Sequence, residues 1–126
     1  MLSVKWLSAV PLPRIFHVNW FRKSGDGKFL WPGFGDNMRV LKWIVQRCQM
    51  GAHAVETSIG WVPEYHDLDM VGMEKEMNVD KFAEAQRIDK DEWHHELVMQ
   101  DGLFIKLYSE LPKELVFQRE LLIARL

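Results

Sequence analysis

The chain carries a single cysteine, Cys48, among its 126 residues. That excludes an intrachain disulfide and any cysteine-based zinc site, and it fits a reducing compartment. An excess of either charge is also missing. Sixteen Lys and Arg against 18 Asp and Glu leave a net charge of −2. Nucleic-acid backbones and anionic membranes both favour a basic face, so this balance argues against either partner. No apolar run reaches transmembrane length. Met1 to Val10 lacks the basic region and cleavage pattern of a secretory signal, and Met1 reads instead as an internal start of a longer chain. With no internal repeat, low-complexity tract or inter-domain linker, residues 1–126 read as a single domain.

What is present is aromatic. The chain has six tryptophans and seven phenylalanines. Phe16, Trp20, Phe21, Phe29, Trp31 and Phe34 fall in one stretch, interleaved with glycine and proline. Pro11-Leu12-Pro13 is extended. Ile15 to Phe21, rich in branched and aromatic residues, predicts a strand. Ser24-Gly25-Asp26-Gly27 predicts a turn, and Phe29 to Trp31 a short antiparallel return. Pro32-Gly33-Phe34-Gly35 continues neither strand nor helix and reads as a loop.

The remainder predicts helices. Asp36 or Asn37 caps a helix from about Met38 to Cys48. Val40, Leu41, Ile44, Val45 and Cys48 define its buried stripe, and Gly51 stops it. Residues 52–73 read as an irregular connector. Asn78 caps a helix through Arg87, with Val79, Phe82 and Ala83 inward. Asp89 to Glu92 resembles a capping box ahead of an amphipathic stripe of Trp93, Leu97, Phe104, Leu107 and Leu111, broken at Gly102. Pro112 opens a last helix, with Leu115, Leu122 and Leu126 on one face. The fold class is therefore mixed α/β and predominantly helical: a short β-hairpin plus an aromatic loop, then several helices. Residues 16–37 form the hairpin and loop, and 38–126 the helical packing region.

A purine is flat and has a hydrogen-bonding edge. Burying it calls for aromatic faces above and below and a few polar groups at the rim. Three phenylalanines gathered by a hairpin and a Gly-rich loop can supply the faces. An asparagine at the next helix start can supply the rim, because its amide both donates and accepts. On composition alone, a simple hydrophobic core accounts for the same rings and stays ahead.

The run FHVNWFRKSGDGKFLWPGFGDNMRVLKWI, residues 16–44, closely resembles the guanine-binding segment of GTP-dependent phosphoenolpyruvate carboxykinases. Asp36 in place of glutamate and Met38 in place of a small residue are mild departures. A looser resemblance continues through Ser58 to Pro63, Asp67-Leu68-Asp69, Asp89 to Trp93 and Leu111 to Leu115, covering nearly all of the chain from about Pro13. It implies that Phe21 and Phe34 hold a guanine between them and that Phe29 closes the back of the slot. It implies that Asn37 reads the guanine edge and that Trp20 lies beside the pocket. It further implies GTP or GDP as the nucleotide, and the rest of the carboxykinase fold as partner. A cytoplasmic location follows, although the family also occupies mitochondria.

The family reaction converts oxaloacetate and GTP to phosphoenolpyruvate, GDP and carbon dioxide. It needs a phosphate loop, arginines for the substrate carboxylates, and manganese held by Lys, His and Asp. None of these is found in this chain. Gly25 to Phe29 is no Walker loop, because Phe29 stands where a Ser or Thr would bind magnesium. Gly33-Phe34-Gly35 lacks the third glycine of a dinucleotide fingerprint. His94 and His95 are adjacent on a helix, about 100 degrees apart, and with Glu96 make a poor ligand set. His17, His53 and His66 have no ligand cluster nearby, and Cys48 reads as a small buried side chain. The expectation is a base-recognition piece without the catalytic or metal site. The alternatives are a stand-alone guanine-nucleotide module and an inactive truncated product.

Overall fold

The computed structural model describes residues 13–126. The expectations for Met1 to Val10, and for Pro11 and Leu12, lie outside the described residues. Four helices and one small sheet follow the aromatic segment: α1 (Asn37–Cys48), β1 (Val55–Thr57), β2 (Gly60–Val62), α2 (Val79–Gln86), α3 (Lys90–Lys106) and α4 (Lys113–Arg125). Short 3₁₀ turns lie at Phe34–Asp36 and Tyr65–Asp67. The mixed α/β, mainly helical class holds.

The strand content sits elsewhere than the pattern of branched residues suggests. Ile15 to Asn19 has no regular structure, and Trp20 and Phe21 lie in a turn. An Asx-type bond explains this, with the Phe21 N–H donating to Asn19 Oδ1 at 3.0 Å and so competing with any ladder. Among the described residues, pairing in this region is one antiparallel bridge, Lys23 to Phe29, flanked by Leu30 N–H donating to Arg22 O at 2.9 Å. The two-stranded sheet lies inside the stretch expected to be irregular. β1 and β2 pair antiparallel with Glu56 opposite Trp61. Gly60, at φ 131°, supplies the left-handed backbone their tight turn requires.

The core is built around α1, the 65–77 turns and α2. Trp43, Leu68, Met70, Met73, Met77 and Phe82 are buried together, with Phe16, Trp31 and Tyr65 packed against them. Trp43 Nε1 donates to His53 O at 3.0 Å, satisfying the one polar atom of that ring. Tyr65 stands edge-on to Phe82 at 5.6 Å and donates its hydroxyl to Met77 O at 3.1 Å. Methionine is unbranched and adaptable, so it fills space presented by turns as readily as space presented by regular elements.

On α1 the buried face is rotated from the expected stripe. Trp43 is buried and Val40 and Ile44 are half-buried, while Leu41, Val45 and Cys48 are exposed. Trp43 is bulkier than any member of the aliphatic set and takes the inward position. The Cys48 thiol is therefore exposed, contrary to the small buried side chain expected.

Capping matches expectation more closely. Asn78 Oδ1 accepts from Lys81 N–H at 2.9 Å and starts α2, with Phe82 inward, but Val79 and Ala83 are exposed. Asp89 accepts from the N–H groups of Asp91 and Glu92 at the start of α3. The helix runs on through Gly102, where a break was expected. Leu97 is buried and Trp93 and Phe104 are half-buried, while Leu107 and Leu115 are exposed. Arg119 of α4 ties the last two helices together. Its guanidinium donates to Leu97 O at 3.1 Å, pairs with Asp101 and lies over the Phe104 ring at 5.6 Å.

The Asp89 carboxyl lies below its ordinary pKa. The first cause is the backbone hydrogen bond from Glu92, with the Arg87 charge adding to it. A depressed folded-state pKa contributes stability above the unfolded value, about 3.9, and loses it as pH falls through the folded value. The urea midpoint of the wild-type chain is expected to fall below about pH 4. In Asp89→Asn, which keeps a capping oxygen but has no ionisation there, that part of the acid dependence is expected to be absent.

Candidate nucleotide-binding site

The turn after Arg22 brings two of the expected rings together. Ser24 N–H donates to Lys28 O and Gly27 N–H to Ser24 O, both at 2.9 Å. Gly27 adopts φ 82°, which a side chain would disfavour. The Asp26 carboxyl is held below its usual range, first by the Ser24 hydroxyl and then by Lys28, so it stays charged and fastens the turn. Buried Leu30 anchors the returning limb, and Arg22 Nη1 donates to Ala85 O of α2 at 3.1 Å. Phe21 and Phe29 then lie side by side, centroids 6.1 Å apart and planes at 65°. Lys23 Nζ sits 5.4 Å from the Phe29 centroid.

The Gly-rich loop presents the third ring. Gly33 takes φ 144°, again a conformation suited to glycine, and delivers Phe34 into the first 3₁₀ turn. Phe34 is 91% exposed, Phe21 72% and Phe29 57%. Within this chain the three rings are therefore not part of its core cluster, which gathers around Trp43. Phe34 has no aromatic stacking partner among the described residues.

Asp36 precedes α1 without capping it through its side chain. Instead it accepts from Arg39 Nε at 2.8 Å, and Arg39 also donates to Asp69 O. Lys42 Nζ meets Asp69 Oδ2 at 3.1 Å, the first reason the Asp69 carboxyl also lies low. The loop is thereby tied to the core turns. Asn37 is the first residue of α1, and Trp31 Nε1 donates to its Oδ1 at 2.8 Å. Trp20 lies against Trp31, centroids 5.7 Å apart. Trp20, Trp31 and Asn37 thus form one chain of contacts. Trp31 carried no signal beyond its place in the aromatic run.

A cleft of about 420 Å³ opens between the turn and α2, lined by Asp26, Lys28, Phe29, Lys81 and Glu84 among others. It is walled mainly by charged side chains and shares only Phe29 with the ring set, so it does not describe a purine slot.

The histidines need one correction. His53 was expected to lack a ligand cluster, yet its ring, Glu64 and Asp67 place ligand atoms within 4.8 Å of one another. Asp67 Oδ2 accepts from Glu64 N–H at 2.8 Å and lies 3.1 Å from His53 Nδ1. Glu64 and Asp67 close a capping box on the second 3₁₀ turn, so the group is occupied in holding that turn. It does not fit the Lys, His and Asp set that the resemblance implies for manganese.

The sequence matches the family described as "Phosphoenolpyruvate carboxykinase C-terminal P-loop domain" over residues 2–125. The phosphoenolpyruvate carboxykinase [GTP] of Anaeromyxobacter sp. (strain K) is 52% identical over 113 residues, covering 90% of this chain and 19% of the relative. That of Arthrobacter sp. (strain FB24) is 46% identical over 104 residues, covering 82% of this chain and 17% of the relative. The cytosolic enzyme of Gallus gallus is 44% identical over 122 residues, covering 96% of this chain and 19% of the relative. The chain belongs to the GTP-dependent phosphoenolpyruvate carboxykinase family. It spans about a fifth of the length of the relatives it matches. No helix among the described residues is long and apolar enough to cross a membrane.

Proposed function

We propose that this chain supplies guanine-nucleotide recognition to a GTP-dependent phosphoenolpyruvate carboxykinase, the enzyme that turns oxaloacetate and GTP into phosphoenolpyruvate, GDP and carbon dioxide. Phe21 and Phe34 form the two faces of the base slot, Phe29 its back wall, Trp20 its flank and Asn37 its rim. The observation that carries this reading is the exposure of three phenyl rings drawn from one short segment, which runs directly into an asparagine at a helix start. The steep angle between Phe21 and Phe29 suits a face and a back wall better than two parallel faces. The contribution is positioning, which lets binding energy at the base orient a phosphoryl group elsewhere in the enzyme.

The phosphate loop, the manganese ligands and the substrate arginines are assigned to the remainder of the carboxykinase fold. Manganese, when bound there, supplies charge stabilisation to the transferring phosphoryl group. The exposed apolar side chains of α3 and α4, among them Val98, Met99, Leu103, Ile105 and Phe117, support such a partner. Apolar patches of this kind mark surfaces that other protein covers.

The test is nucleotide binding by the full chain, read by quenching of tryptophan fluorescence. GDP is expected to bind more tightly than ADP. Phe34→Ala is expected to weaken GDP by about 1–3 kcal/mol, the worth of one base–aromatic stack. Equal affinity for the two nucleotides, or a Phe34→Ala variant that binds as well as wild type, would overturn the reading.

A further inference from the structure

We propose that Trp31 is a positioning residue that sets the direction of base selection, by locking the Asn37 amide with its NH₂ group turned toward the base. The inference rests on the reading that Asn37 meets the edge of the nucleotide base. A primary amide rotated by a half turn exchanges a donor for an acceptor, so a free asparagine at a rim cannot by itself choose between a carbonyl and an amino group. The indole N–H is a donor only. The atom it meets at 2.8 Å is therefore the carbonyl oxygen of Asn37, which fixes which end of the amide points away. Trp31 is itself held, packed against the core cluster and against Trp20 at 5.7 Å. The outward Nδ2 then offers its hydrogens to the 6-position of a purine. Guanine carries an acceptor there. Adenine carries an amino group, which would meet donor with donor and leave both unpaired in a desolvated slot.

The experiment measures binding of GDP and of ADP by calorimetry on the full chain and two variants. Trp31→Phe keeps a ring of similar shape and removes the donor. Its GDP-over-ADP ratio is expected to fall about tenfold. Partial loss of packing lowers both affinities together and does not move the ratio. Asn37→Asp keeps an acceptor for Trp31 and replaces the outward donor with an acceptor, so its ratio is expected to shift toward ADP. A Trp31→Phe ratio equal to wild type, or an Asn37→Asp ratio unmoved from wild type, would overturn the proposal. A ligand-free readout separates this failure from that of the base-recognition reading. In the nucleotide-free wild-type chain, the Trp31 indole proton is expected to exchange slowly with solvent and to show a nuclear Overhauser contact with Asn37. Fast exchange without that contact overturns the positioning role alone. A protected indole proton, in a chain that does not distinguish GDP from ADP, overturns the recognition reading and the proposal with it.

Discussion

Trp43→Ala is expected to lower the unfolding free energy by about 3–5 kcal/mol, the usual cost of truncating a large buried aromatic. Trp43 is 4% exposed and lies among Leu68, Met70, Met73, Met77 and Phe82. Phe16 packs edge-on against it at 6.1 Å. Alanine leaves a cavity that methionines only partly refill, and it strips His53 O of its donor. A small domain has about 5–15 kcal/mol of stability in all, so much of the margin is at stake. The measurement is the urea midpoint, with Leu41→Ala as the comparison. Leu41 is 41% exposed, and its truncation is expected to cost about 0.5 kcal/mol or less. Equal losses at the two positions would mean that the inward face of α1 is not the one described.

Asn37→Ala is expected to lower the preference for GDP over ADP by about 1–3 kcal/mol, the penalty for leaving a desolvated edge unpaired. That is roughly five- to 150-fold in the affinity ratio. ADP affinity is expected to hold or rise slightly, because stacking does not depend on the rim amide and the donor that opposes the adenine amino group is gone. The substitution also orphans the Trp31 indole N–H, which donates to Asn37 Oδ1 in the wild-type chain. A parallel drop in affinity for both nucleotides would point to damage at the start of α1 and away from base choice.

The helices were readable because their signals are local. Asn78 and Asp89 stand where a cap belongs, and both cap through their side chains. Gly102 did not break α3, since the cost of one mid-helix glycine, about 1 kcal/mol, is outweighed by packing of the helix face. Leu97 and Arg119 supply that packing. The core was much less legible. Leu68, Met70, Met73 and Met77 come from a stretch of turns, and inward residues spaced by turns follow neither the 3.6 nor the 2.0 period that pattern reading detects. The strand expected over Ile15 to Phe21 failed for a related reason. β-branched content favours extended backbone, but Asn19 captures the Phe21 N–H, and no partner strand is presented to it among the described residues.

At the candidate site, the resemblance gave residue identities, and the structure adds disposition. Phe21 meets Phe29, Trp20 meets Trp31, and Trp31 bonds Asn37. None of these contacts could be read from spacing, because each depends on the path of a turn fastened by Asp26 or shaped by Gly33. Phe34, which the resemblance makes one face of a slot, stands almost wholly exposed.

A crystal structure of the chain with GDP tests the base-recognition claim most directly. The guanine ring is expected between the phenyl rings of Phe21 and Phe34, with its six-position oxygen facing the Asn37 amide nitrogen. A base bound in the charged cleft beside Lys28 and Lys81, or left in solvent while Phe21 and Phe34 close on each other, would contradict it.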